Sequence, residues 1–302
     1  MRFDVVGCGA LNVDRLYRVN RIAREGGESF VFSVCEASGG SAANTVVGLA
    51  RLGVRTGFVG KVGDDREGRL LLDDFRNESV DTGGIVVADE GCSGAVSAFV
   101  DKRGERALYV HPSVNDTLVF EEINVEYVSR AGFLHLASMD VRPFRAQRRL
   151  VEVLSDVRVS LDPGEIYARM GLVKLRPIVR RCFVVMPSEG EVRLLTGRGW
   201  RDGARRLLRE GVAIVAVKLG ERGCFVSDGR ESFLVPPVKV RVVDATGAGD
   251  AWDAGFLFGL VKHKDLYDCA RLGNFVASRC IAKVGARSGL PRVDDLGARG
   301  LV

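Results

Sequence analysis

The residues best suited to chemistry lie in one run, Asp244-Ala245-Thr246-Gly247-Ala248-Gly249-Asp250, followed by AWDAGFLFGL. The apolar stretch Val238–Val243 ahead of it predicts a strand, and the stretch behind it predicts an apolar helix. A turn of small residues that opens a helix is an anion site. Free backbone N–H groups point outward there, and the helix dipole favours negative charge. Gly247, Ala248 and Gly249 carry almost no side chain, so a phosphate can approach the backbone. Asp250 then stands beside that phosphate, able to take a proton from an attacking hydroxyl. Phosphoryl transfer needs positioning and charge stabilisation above all, and such a turn supplies both. Asp250 alone would read as an ordinary first-turn helix aspartate; the complete heptamer with its helix points to chemistry.

The elements that must position this run alternate between strand and helix. Phe3–Val6 predicts a strand ending at Gly7. Ala42–Leu52 predicts a helix with Ala43, Val46, Val47 and Ala50 on one face and Gly53 as its stop. Thr56–Val59 reads as a short strand, and Gly68–Glu78 as a helix capped by Asp64 or Asp65. Phe133–Leu136, Val157–Asp162, Cys182–Met186 and Ala213–Leu219 are apolar runs of strand length, with helical stretches Arg145–Leu154 and Arg201–Arg209 between them. Buried strands separated by helices imply an α/β fold, a mostly parallel sheet covered on both faces. Two segments break the rhythm. Arg15–Cys35 is extended without a helical period, and Gly94–Val110 reads as a hairpin turning at Asp101-Lys102-Arg103-Gly104. Such strands form either a small separate sheet, usable as a lid, or an added sheet edge.

Composition narrows the classes. The chain has 302 residues and a formal net charge of +5. No apolar run approaches the roughly 20 residues of a membrane span, and the start MRFDVVGCGALNVD lacks the pattern of a signal peptide. A cytoplasmic protein is expected. The basic clusters Arg145–Arg149 and Arg201–Arg209 read as solvated helix faces, so no nucleic-acid partner is expected. The 7 cysteines and 3 histidines include no CxxC pair and no metal-ligand spacing, which implies reduced thiols. Gly7-Cys8-Gly9 lacks the third glycine of a dinucleotide fingerprint, which ranks a nicotinamide-dependent oxidoreductase low.

DATGAGDAWDAGF closely resembles the C-terminal signature of the ribokinase-like (PfkB) carbohydrate kinases. Far upstream, Gly39-Gly40-Ser41-Ala42-Ala43-Asn44 running into TVVGLARLG resembles that family's N-terminal signature. The likeness continues through GKVGDDREG, GERALYVHPSVND, LDPGEIYA, VKLGERG and GARSGLP, in the family's order. It implies a three-layer αβα core with a mostly parallel sheet, formed by residues 1–11, 39–88 and 111–302. A small β-sheet lid is implied at 12–38 and 89–110. It also implies ATP-dependent phosphorylation of a primary hydroxyl of a small sugar. Asp250 would be the general base and Gly247-Ala248-Gly249 the anion hole. A nucleoside kinase of the same family is the alternative acceptor class. A sugar- or nucleotide-binding regulator without catalysis is the alternative of a different kind.

The resemblance carries roles onto further residues. Asp14 would accept hydrogen bonds from acceptor hydroxyls, supported by Asn12; a carboxylate can accept several at once. Gly39, Gly40 and Asn44 would form a second acceptor loop. Asn115 would either contact the acceptor or order the loop. Lys218, Gly220 and Gly223 resemble the nucleotide-binding strand end and turn. Lys218 would reach the ATP phosphates as a point charge, and Arg222 would face solvent. Gly285, Ala286 and Ser288 would close over adenine and, with Asp244, frame a monovalent-cation (K+) site. Glu191 would organise the water shell of Mg2+. Ser188 stands where relatives carry asparagine; a hydroxyl can hold a metal-bound water but has less reach than an amide. Lids in this family often pair into dimers, and Phe30, Val31 and Phe32 could make that contact.

Overall fold

The computed structural model describes residues 2–297. Its large sheet has nine strands. They are β1 (Phe3–Cys8), β4 (Thr56–Gly63), β5 (Val80–Ala88), β8 (Ala131–Ala137), β9 (Arg158–Asp162), β10 (Cys182–Val185), β11 (Ile214–Lys218), β12 (Cys224–Ser227) and β13 (Ser232–Val235). Their order is β13-β12-β11-β10-β9-β8-β1-β4-β5. The pairings from β5 through β11 are all parallel, and β12 and β13 turn back antiparallel.

Successive residues point to opposite faces of a strand. Val5 accordingly joins one core and Val6 the other. The first core takes α1 (Ser41–Arg51), α2 (Arg66–Asn77), α8 (Ala248–Val261) and α9 (Leu266–Cys280). The second takes α3 (Val125–Ser129), α4 (Val141–Val153), α5 (Gly164–Val179), α6 (Glu189–Thr196) and α7 (Trp200–Arg209). Burial on both faces is why these strands are nearly continuous in apolar residues. A short α10 (Val293–Gly297) ends the described chain.

A second sheet has four strands in the order β3-β2-β6-β7: β2 (Asn12–Val19), β3 (Val31–Gly39), β6 (Gly94–Val100) and β7 (Arg106–His111). Both segments that broke the alternating pattern supply it. The β6–β7 turn closes where Gly104 N–H donates to the Asp101 carbonyl at 3.0 Å. Asp65 caps α2 by accepting from Gly68 N–H at 2.7 Å.

One expected strand does not form. Residues 236–243 are irregular, and Val238, Val240, Val242 and Val243 stay largely exposed. The alternating VKVRVV pattern suits a strand, but pairing needs a neighbour with free ladder groups. The segment instead lines a cavity, tied down where Val243 N–H donates to the Ile281 carbonyl at 2.8 Å.

Candidate active site

The site sits at the carboxyl ends of the parallel strands, the usual ligand edge of such sheets. Asp162 is the last residue of β9, Lys218 the last of β11, and Gly9–Asn12 leads from β1 into β2. The N-termini of α1 and α8 meet over this edge, and the Asp250 carboxylate bridges them. Ser41 Oγ donates to its Oδ1 at 2.7 Å and Asn44 Nδ2 to its Oδ2 at 2.8 Å. Ser41 opens α1, whose N-cap Gly40 offers no side-chain cap and whose first turn has no acidic residue. The Asp250 carboxylate thus puts negative charge beside that helix end, held by side chains of its first turn.

Gly247 caps α8 with φ 75°. That conformation favours glycine, and a Cβ there would collide with Ala286. Ala248 and Gly249 follow as the first residues of the helix, and both line the cavity beside Asp250. Asp244 holds the turn: its Oδ1 accepts from Thr246 N–H and hydroxyl at 3.0 and 2.7 Å. Its Oδ2 accepts from Gly285 N–H at 2.9 Å. The 285–288 segment, in which Ser288 is exposed, is thus laced directly to the 244–247 turn.

Asp14 lies on β2, and its carboxyl packs so tightly on Gly39 that any Cβ there would overlap it. Burial pushes its pKa up to about 6; the nearby Arg287 charge opposes the rise and the Asp250 charge adds to it. Gly40 has φ 108°, with the Ala10 carbonyl where its Cβ would be. Asn12 Oδ1 accepts from Asn115 Nδ2 at 3.0 Å. Asn115 is buried, accepts from Leu11 N–H at 3.0 Å and donates to the Leu11 carbonyl at 2.9 Å. Its amide therefore orders the β1–β2 link. Asn44 has both of its amide heavy atoms engaged within the protein, by Asp250 and by Arg287.

Lys218 Nζ donates to Asp162 Oδ2 at 2.9 Å and faces Asp253 Oδ1 and Oδ2 at 3.1 and 3.2 Å. Its ammonium sits about where a Cβ on Gly249 would touch it, at 3.5 Å. Neighbouring carboxylates outweigh burial and raise the lysine pKa, so Lys218 stays charged. Burial and the Asp162 charge drive the Asp253 pKa well up, whereas Lys218 and a hydrogen bond from Asp253 draw Asp162 down against its own burial. Asp253 is thus held toward its neutral form and Asp162 toward its ionised form. Two carboxylates against one buried ammonium cannot both afford charge in a low dielectric.

A cavity of about 930 Å³ opens beside this cluster, lined by Lys218, Gly220, Gly223, Val240, Asn274 and Asp250 among others. Gly220 and Gly223 form the turn after β11, and Arg222 points outward to Glu189. Glu191 lines the same cavity, with Oε2 accepting from Ser188 N–H at 2.7 Å. Ser188 returns the contact as the N-cap of α6, its Oγ accepting from Glu191 N–H at 3.3 Å. Among the described residues no group of three or more His, Cys, Asp and Glu side chains is placed to hold a metal ion.

The sequence reading passed over Ser41, Asp162, Asp253 and Arg287. Asp253 had a visible signal: it is the one charge besides Asp250 within an otherwise apolar helix, three residues on and so on the same side. The others had none of that kind, because their partners are distant in the chain.

This architecture and site are those of a sugar kinase. Residues 3–293 match the model of the pfkB family carbohydrate kinase, and the chain belongs to that family. It is 45% identical over 253 residues to an uncharacterized sugar kinase of Archaeoglobus fulgidus, covering 82% of this chain and 100% of that protein. It is 31% identical over 301 residues to an ATP-dependent ribose-1-phosphate kinase of Halopiger xanaduensis, covering 97% of each. The crystal structure of a ribokinase from Thermotoga maritima superposes with a TM-score of 0.89 at 24% identity, over 98% of each chain.

Proposed function

We propose that the protein transfers the γ-phosphoryl group of ATP to a primary hydroxyl of a small sugar. The carrying observation is the place of the Asp250 carboxylate. It stands at the start of α8 beside the Gly247-Ala248-Gly249 turn, between the cavity that contains Lys218 and the acceptor loop that contains Asp14 and Gly39. The acceptor oxygen attacks the γ-phosphorus, the bond to the β-phosphate oxygen breaks, and ADP leaves. The hydroxyl proton passes to Asp250. The amides of the turn and the Lys218 ammonium face the charge on the transferring group. Asp14, supported by Asn12, holds neighbouring hydroxyls of the acceptor. Gly220, Gly223, Gly285, Ala286 and Ser288 surround the nucleotide.

Magnesium on the ATP phosphates would neutralise their charge, and Glu191 would meet it through water, an oxygen donor suited to a hard cation. Asp244, between the turn and the 285–288 segment, is the residue that would face K+. The four-stranded sheet acts as a lid that excludes water from the transfer. Its exposed Phe30, Phe32 and Tyr109 form a surface on which the lid of a second copy would pack.

The test is ADP release from ATP with D-ribose, D-fructose and adenosine as acceptors, for the wild type and Asp250→Asn. Acceptor-dependent ADP release that falls about a hundredfold or more in the variant supports the reading. Undiminished turnover in the variant removes Asp250 from the chemistry, and release without any dependence on acceptor removes the kinase reading.

A further inference from the structure

Arg287 has no part in the roles set out above, yet its side chain is only 11% exposed and lies against the acceptor loop. Its Nε donates to Asn44 Oδ1 at 2.8 Å, its Nη1 donates to Asp74 of α2, and its Nη2 is buried without a hydrogen-bond partner. The backbone around it is held as firmly. Arg51, at the end of α1, donates through Nη1 to the Arg287 carbonyl at 2.6 Å and pairs with Glu78 at 2.5 Å.

A guanidinium has donors only, whereas an asparagine amide has one accepting and one donating end. Facing Arg287, Asn44 must present its carbonyl oxygen. That leaves Nδ2 turned to Asp250 Oδ2, at 2.8 Å. The reversed amide would set donor against donor at Arg287 and oxygen against carboxylate at Asp250. We propose that Arg287 is a positioning residue for phosphoryl transfer, fixing the Asn44 amide in the one orientation that donates to the Asp250 carboxylate. It does this from the segment whose Gly285 and Ala286 pack on the anion turn. One short stretch of chain thus orders the nucleotide side and the base together. The inference rests on the reading of Asp250 as the base.

The charged and titratable groups around Asp250 come from several elements. Asp14 faces it from β2, Asp162 from β9, Lys218 from β11 and Cys280 from α9. Burial raises the Asp250 pKa, and the Asn44 and Ser41 hydrogen bonds oppose that rise. Losing the Asn44 bond therefore moves Asp250 further up.

The experiment compares wild type, Arg287→Met, Arg287→Lys and the surface control Asp73→Asn. Two quantities are read. One is the acid limb of kcat/KM with whichever of D-ribose, D-fructose and adenosine turns over fastest. The other is the carboxyl titration of Asp250 by 13C-aspartate NMR, assigned against Asp250→Asn and independent of any acceptor. In Arg287→Met both are expected to move up by roughly half to one pH unit, with the KM for ATP within about twofold of wild type. Arg287→Lys restores a donor and is expected to return most of the shift, and Asp73→Asn to match wild type. If Arg287→Met does not fold, Arg287→Gln, which keeps an N–H donor without the charge, is expected to move the same way by less. A lowered Tm with both titrations unmoved makes Arg287 structural only and overturns the proposal. Full turnover by Asp250→Asn would instead sink the base assignment, whatever the Arg287 variants show.

Discussion

Asp253 lies three residues beyond Asp250 on α8, and its carboxyl faces the Lys218 ammonium at 3.1 Å while burial beside Asp162 holds it toward its neutral form. The two aspartates look equivalent in distance and differ in charge. Asp162 is the ionised partner of Lys218. Asp253 is the one held toward its neutral form, and an asparagine amide can replace the hydrogen bond that form donates. Asp253→Asn is expected to cost little stability, within about 1 kcal/mol. Asp162→Asn removes the Asp162 charge and passes the counter-charge role to Asp253, 3.1 Å from the ammonium, whose full burial opposes ionisation; it is expected to cost more than Asp253→Asn. Chemical denaturation of the two variants at neutral pH checks this; equal losses would mean that the proton is not held on Asp253.

The acid limb of activity should lie above the range of an ordinary aspartate. Burial pushes the Asp14 carboxyl up to about 6 and also raises Asp250. On the proposed roles both must be ionised, one to hold the acceptor and one to take its proton. The acceptor kcat/KM is expected to fall as pH drops through about 6. A profile flat down to pH values near the ordinary aspartate pKa of about 4 would contradict it.

Asp14 also makes a stability prediction with a definite sign. Its folded pKa, about 6, exceeds the unfolded value of 3.8. The folded state then binds more protons between those values, so stability falls as pH rises through the window. Asp14→Asn removes that penalty. Its Tm is expected to exceed the wild-type Tm by a few degrees at pH 8, with the difference closing as pH falls below the unfolded value of 3.8. The same variant should bind acceptor more weakly. Asp14→Ala is expected to raise the acceptor KM roughly thirty- to a hundredfold through loss of charge-assisted hydrogen bonds, with little change in the KM for ATP. Equal changes in both constants would mean that Asp14 serves the fold generally.

Gly40 and Gly53 separate two demands on glycine. Both have positive φ, 108° and 79°. Gly53 has open space around its missing Cβ, whereas Gly40 has the Ala10 carbonyl there. Gly53→Ala is expected to cost about 1 kcal/mol, the conformational term alone. Gly40→Ala must also displace the acceptor loop, so it is expected to cost more and to raise the acceptor KM at least about tenfold. Thermal melts and kinetics of the two variants check the contrast.

The sequence alone determined what neighbouring residues do to one another. The small-residue turn at 244–250, the helix it opens and the apolar strands follow from local sterics and period, and these were legible. The two segments of the small sheet were visible because they broke that period. Their pairing order was not, since β2 and β6 meet across more than the length of α1, β4, α2 and β5. Val238–Val243 shows the reverse limit: a strand pattern without a neighbouring strand stays irregular. The charged network was decided only by the tertiary structure. Asp162 reaches Lys218 across 56 residues, and Arg287 reaches Asn44 across 243. A hydrogen bond or a shared proton depends on distance in space, not in the chain. Which aspartate is ionised, and which way the Asn44 amide turns, is fixed only when the sheet brings those strand and helix ends to one edge and removes them from water.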